Sequence, residues 1–171
     1  MSTSLSIPIL LLAAILQTTL VPVLLRVFNA EPDLIFLIVL SWSIHARTEV
    51  ALLWAFVGGI AADLLSAAPT GASVVGLILA VSMVTALRGQ LTSVGTFSLI
   101  GLTIAGTIVH KLTYLVIVGA SGIRAPMVSG LLLIVLPTVV YNLIALLPVY
   151  HFSRFVQRRA ERSSLGAAPR I

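Results

Sequence analysis

Apolar residues run along this chain in six blocks, broken by short polar or turn-forming stretches, and the blocks predict six helices. The first covers about 5–28, with Pro8 suited to an opening turn and Pro22 placed to kink its outer third. The second starts after Pro32 and Asp33 and covers about 34–46; the third covers 50–66 and the fourth 73–87. These three reach only about 20–25 Å at 1.5 Å per residue, short for a hydrocarbon core of about 30 Å. The fifth covers 96–119 and the sixth 128–150, the latter with Pro137 as an expected kink near its middle. His45, Arg47 and Glu49 lie between the second and third blocks, and three such groups held at membrane depth would cost several kcal/mol. Full crossing is therefore expected in preference to a shallow hairpin.

Composition places these helices in a membrane. Of 171 residues, 59% are hydrophobic and only 9% are charged, against about 25% charged in soluble domains. The expectation is an all-α integral membrane protein, a six-transmembrane-helix bundle over 1–151 followed by a basic tail over 152–171. The first apolar run lacks a basic leader and is read as retained. With six crossings both termini share a side. If that side is the cytoplasm, Arg47, Arg88, Arg154, Arg158, Arg159, Arg162 and Arg170 lie inside, against Arg26 and Arg124 outside, as the positive-inside rule requires. Trp42 and Trp54 fall within a turn of the inner hairpin, where indoles favour the interface.

A net charge of +5 does not point to nucleic acid, because five of the ten basic residues follow position 153 as a local tail. In that tail Phe152, Phe155 and Val156 face one side while Arg154, Arg158 and Arg162 recur on another, the pattern of a short interfacial helix meeting the lipid bilayer or a cytosolic partner. Arg159 belongs to the same basic surface. The absence of cysteine excludes disulfides, a thiolate nucleophile and cysteine-based metal sites. No cluster has metal-ligand spacing, no cofactor is expected, and no nucleophile, base and orienting group form a recognisable set.

The polar residues left inside the apolar blocks are few. Ala51, Ala55, Gly59 and Asp63 share one face of the third helix, beside a second glycine, Gly58, and ahead of a Pro69-x-Gly71 exit. A packing seam with one satisfied acid is favoured there over a functional carboxylate. Asp63 lies about 20 Å along its helix and Lys111 about 23 Å along the parallel fifth helix. The expected pair is therefore Asp63 with Lys111, or with His110. A proton relay would need a second intramembrane acid, which this reading does not find. Gln17 and Asn142 fall near mid-depth as carboxamides in need of partners across helices, and Gly101 with Ala105 forms a second small-residue pair, expected to serve internal packing.

Four segments together resemble the bacterial rod shape-determining MreD family: LQTTLVP at Leu16–Pro22, PDLIFLIVLSWSI at Pro32–Ile44, WAFVGGIAADLLSAAPTG at Trp54–Gly71 and VVYNLIALLPVY at Val139–Tyr150. The third is the most specific of them. His110 and Lys111 are outside the resembling pattern. The resemblance implies a non-enzymatic membrane scaffold of the cell-wall elongation machinery in the bacterial cytoplasmic membrane. It would work with MreC, the glycosyltransferase RodA, its class B penicillin-binding transpeptidase and the filament protein MreB. On that reading Pro32, Asp33, the third-helix seam and the exit at Pro69 and Gly71 become candidate partner-binding or packing residues. The alternative is the substrate-binding membrane component of an energy-coupling-factor transporter. Its Ala-x-x-x-Ala motif on the first helix is missing here, since positions 17 and 18 are Gln17 and Thr18.

Overall fold

The computed structural model describes residues 3–19, 32–66, 71–90, 95–122 and 134–165. Among them the fold is all-helical: α1 (Thr3–Thr19), α2 (Leu34–Ser43), α3 (Thr48–Leu64), α4 (Ala72–Arg88), α5 (Thr96–Ala120) and α6 (Leu136–Leu165), with no strand. Two of the six, α5 over its full length and α6 over Leu136–Arg158, are long and apolar enough to cross a membrane. The expected kink of the first block at Pro22 lies outside the described residues, as does Pro69.

The shortest helix is the hub. At ten residues α2 is about 15 Å long, yet it packs against each of the other five helices. From Ile35 to Ser43 every residue is buried. A helix buried all round has no solvent-facing stripe, and the continuous apolar run LIFLIVL shows that pattern in the sequence. Around it α3 pairs with α4 and α4 with α5, while α1 leans on α2 and α3, and α6 on α2 and α5.

Glycine sets the closest approaches. A Cβ on Gly59 would lie 2.4 Å from the Val74 Cα, so α3 and α4 meet backbone to backbone at that point. Gly106 in α5 admits the Phe36 ring, whose tip would be 3.0 Å from an added Cβ. Gly101 was expected to pack inside the chain but faces open space, with no atom near an added Cβ. The buried side of α5 runs through Leu102, Thr103, Gly106, Thr107 and His110, and this rotation turns Gly101 outward.

Two further expectations are corrected. The expected short helix of the basic tail is not separate from the sixth helix: α6 continues without a break to Leu165, with Gln157 Nε2 donating to the Trp42 carbonyl at 3.3 Å. Pro137 follows a wide turn at 134–135, and the expected kink near the middle of the sixth block depends on residues before 134, which lie outside the described residues. Trp42 and Trp54 are buried and stacked on one another at 4.0 Å rather than turned to an interface. Each indole covers the other, so both are shielded although they flank the exposed turn at Arg47 and Glu49.

Gly59→Ala should therefore lower stability by about 1–3 kcal/mol through overpacking against the α4 backbone. Gly101→Ala, where the added methyl meets nothing, should be neutral or raise stability by up to about 1 kcal/mol through helix propensity. Thermal unfolding of the two variants in the same detergent compares them directly.

Candidate functional site: two buried aspartates at helix starts

The first four N–H groups of a helix have no partner inside it, and a helix that begins within an apolar bundle cannot give them to water. Among the described residues two helices begin in that situation, and each is met by an aspartate. Asp63 sits in the last turn of α3, 4% exposed. Its Oδ2 accepts the Gly71 N–H at 2.7 Å and its Oδ1 accepts the Ser73 N–H at 3.0 Å. The carboxylate thus caps α4 from the preceding helix, and its negative charge lies at the positive end of the α4 dipole. Gly71 holds φ at +102°, a left-handed conformation that a side chain would strain. The Asp-Leu-Leu-Ser then Pro-x-Gly signature has a direct physical account at its two ends: one acid to receive the turn, one glycine to make it.

Asp33 does the same for α2 and is tied to more partners. Its Oδ1 accepts the Phe36 N–H at 3.1 Å, the geometry of an N-cap residue. Its Oδ2 accepts from Lys111 Nζ at 2.6 Å, an ion pair between α5 and the start of α2. Asn142 Oδ1 receives the Asp33 backbone N–H at 2.8 Å and its amide donates to Thr107 Oγ1 at 3.1 Å, joining α6 and α5. Gln17 Oε1 takes the Ile35 N–H at 3.1 Å, which brings in α1. Both carboxamides bridge helices, and three other helices, α1, α5 and α6, converge on the start of α2.

This arrangement corrects the expected pairing. Lys111 bonds Asp33, and Asp63 bonds the backbone that opens α4. The reason is length: α2 is too short to carry its N-terminus out of the bundle, so Asp33 sits deep enough to meet α5. The Pro32–Asp33 start and the brevity of the second apolar block were the available signals. His110, 4% exposed, places Nδ1 3.4 Å from Asp33 Oδ2 without making a hydrogen bond.

The remaining candidates separate into two groups. Ala51, Ala55, Gly58 and Gly59 are buried within the chain's own helix contacts, and Pro32 is buried beside Asp33. Arg154 and Arg158 are exposed on α6, Arg154 near the Tyr150 hydroxyl at 3.3 Å. The side chains of Arg159 and Arg162 lie outside the described residues. Sequence reasoning missed the far end of α2: Arg88 donates to the Ser43 carbonyl, so a cation closing α4 also closes α2.

Such a site, with its acids engaged by helix starts, belongs to a helical membrane bundle whose polar interior holds short helices in place. The family model described as rod shape-determining protein MreD matches residues 1–159, and the chain belongs to that family. No curated protein and no solved structure gives a match. Membership supports a role in rod shape determination and fits a membrane-associated protein.

Lys111→Met alone should destabilise the bundle by about 3–5 kcal/mol, because it leaves Asp33 buried and uncompensated, and the double change with Asp33→Asn should cost less than the two single losses added. Asp63→Ala should cost about 1–2 kcal/mol and add to Lys111→Met without coupling. Unfolding free energies for the double-mutant cycles, measured in one detergent, check both statements.

Proposed function

We propose that this chain is a non-enzymatic scaffold of the cell-wall elongation machinery. It crosses the bacterial cytoplasmic membrane six times, with both termini in the cytoplasm, and contacts MreC, RodA and the class B transpeptidase, with MreB on the cytosolic side. Membership of the MreD family over residues 1–159 carries this reading. The described cations support the orientation, since Arg88 meets the C-terminal end of α2, Arg47 follows that end, and the α6 extension reaches it through Gln157. Gathering basic side chains at one end is what the positive-inside rule asks of the cytoplasmic face. Arg154 and Arg158, with Phe152 and Phe155 exposed beside them, suit contact with lipid headgroups where α6 leaves the bilayer.

The glycine face of α3 is engaged inside the chain, so the proposed contact with MreC moves to the exit segment 67–72 and the outward side of α3. Phe56, Ile60 and Leu64 are exposed there at helical spacing. Transmembrane association relies on packing of such faces.

Tagged protein solubilised from native membranes should retain MreC, RodA and the transpeptidase, and cysteines placed at positions 56, 60 or 64 should crosslink to MreC. Depletion should round rod-shaped cells. Retention of none of these partners, or crosslinks that fall repeatedly on other helices, would overturn the reading.

A further inference from the structure

At Tyr150 the last helix draws level with the turn that follows α2, its ring centre 5.9 Å from that of His45. Two residues further along that turn the side chains of Arg47 and Glu49 are exposed, so the turn stands outside the hydrocarbon and α6 leaves it at about the same level. At 1.5 Å per residue Arg154 lies about 6 Å beyond Tyr150 and Arg158 about 12 Å beyond it, across a headgroup layer of roughly 5–8 Å. The stretch 152–158 is where lipid phosphates meet the chain.

The two sides of that stretch differ. Ser153 and Gln157, one turn apart, are buried, and Gln157 Nε2 reaches the Trp42 carbonyl, which also takes the His45 and Ala46 N–H groups at the end of α2. This hold is thin, because Gln157 supplies one bond at 3.3 Å and the Ser153 hydroxyl is buried without a hydrogen-bond partner among the described residues. On the other side Arg154 and Arg158 are exposed one turn apart, with Phe152 and Phe155 exposed beside them. Arg154 is held in place, its Nη1 donating to the Tyr150 hydroxyl at 3.3 Å and its guanidinium 6.0 Å from the centre of that ring. Among the described residues no carboxylate pairs with either arginine: Glu49 is taken by Arg47 at 3.5 Å, and Asp33 and Asp63 are buried at helix starts. Cations without an acid, beside aromatic side chains at the hydrocarbon edge, are complementary to a phosphate that carries acyl chains.

We propose that an anionic phospholipid of the surrounding leaflet binds the outer side of this stretch, its phosphate on Arg154 and Arg158 and its acyl chains along Phe152 and Phe155, and thereby clamps the inner side onto the end of α2. Guanidinium groups meet phosphate oxygens with charge-assisted hydrogen bonds, and the phenylalanines anchor the helix at the edge of the hydrocarbon. A ligand that binds only the docked extension stabilises the docked state, so the charge of the leaflet reaches the central helix through Gln157. The proposal rests on the membrane placement of the scaffold reading and on no protein partner.

Native mass spectrometry of the full chain in a neutral maltoside detergent, with phosphatidylglycerol and phosphatidylcholine of identical acyl chains in competition, measures the binding. Phosphatidylglycerol should be retained about tenfold more strongly, and Arg154→Gln combined with Arg158→Gln should remove most of that preference. Arg47→Gln takes away a cation at the same end that Glu49 already balances, and the preference should survive it. Hydrogen exchange in nanodiscs measures the hold on α2. Phosphatidylglycerol should slow exchange of the His45 and Ala46 amides about threefold relative to phosphatidylcholine alone, and Gln157→Ala should abolish that slowing while keeping the lipid preference. Equal retention of the two lipids, which would leave this face to an acidic protein segment, would overturn the proposal. So would a preference unchanged in the double variant or lost equally in Arg47→Gln, or slowing at His45 and Ala46 that persists without Gln157. Lipid preference in a chain that retains none of its protein partners would sink the scaffold reading alone, and indifference to lipid charge in a chain that retains them would sink the lipid clamp alone.

Discussion

A helix that starts inside an apolar bundle must have its first N–H groups satisfied by protein, and in this chain that requirement falls on two aspartates. Asp33 opens α2 and Asp63 opens α4, from opposite sides of the sequence: one precedes its helix, the other closes the helix before. Each carboxylate sits where backbone dipoles favour negative charge, which offsets part of the cost of holding it away from water. The difference between them is the cation. Asp63 is held by backbone donors at both oxygens, whereas Asp33 shares its load with Lys111.

The fold follows from making α2 the shared centre. Its N-terminus is held by Gln17, Asn142 and the Asp33–Lys111 pair, and its C-terminus by Arg88 and Gln157, so every other helix except α3 supplies a polar contact to one of its ends. The third helix contributes packing instead: an added Cβ on Gly58 would meet Ile35 and Val39 at 3.1 Å. A short helix fixed at both ends acts as a strut, and damage at either end reaches all its neighbours. That arrangement leaves both buried aspartates bonded to the starts of helices, with Asp33 also paired to Lys111.

The same constraint gathers Asp33, His110 and Lys111 at one end of the bundle, where they border a cavity with apolar walls.

The sequence by itself determined the helical class, the number of apolar blocks, the family resemblance and the outstanding status of the segment ending in Asp63 and Gly71. These are local properties: block length, hydropathy, a carboxylate in an apolar run and a glycine at a turn. It also indicated that Gln17, Asn142, Asp63 and Lys111 needed partners, since a polar group in such surroundings must be satisfied. Which partner each one found was decided by tertiary structure. Depth along a helix placed Asp63 and Lys111 at similar heights, but pairing depends on rotation about the axis and on where a ten-residue helix ends, and neither is encoded in spacing along one segment. The outward turn of Gly101, the Trp42–Trp54 stack and the unbroken run of α6 past Tyr150 have the same origin, because each depends on which neighbouring surface is present once the bundle has closed.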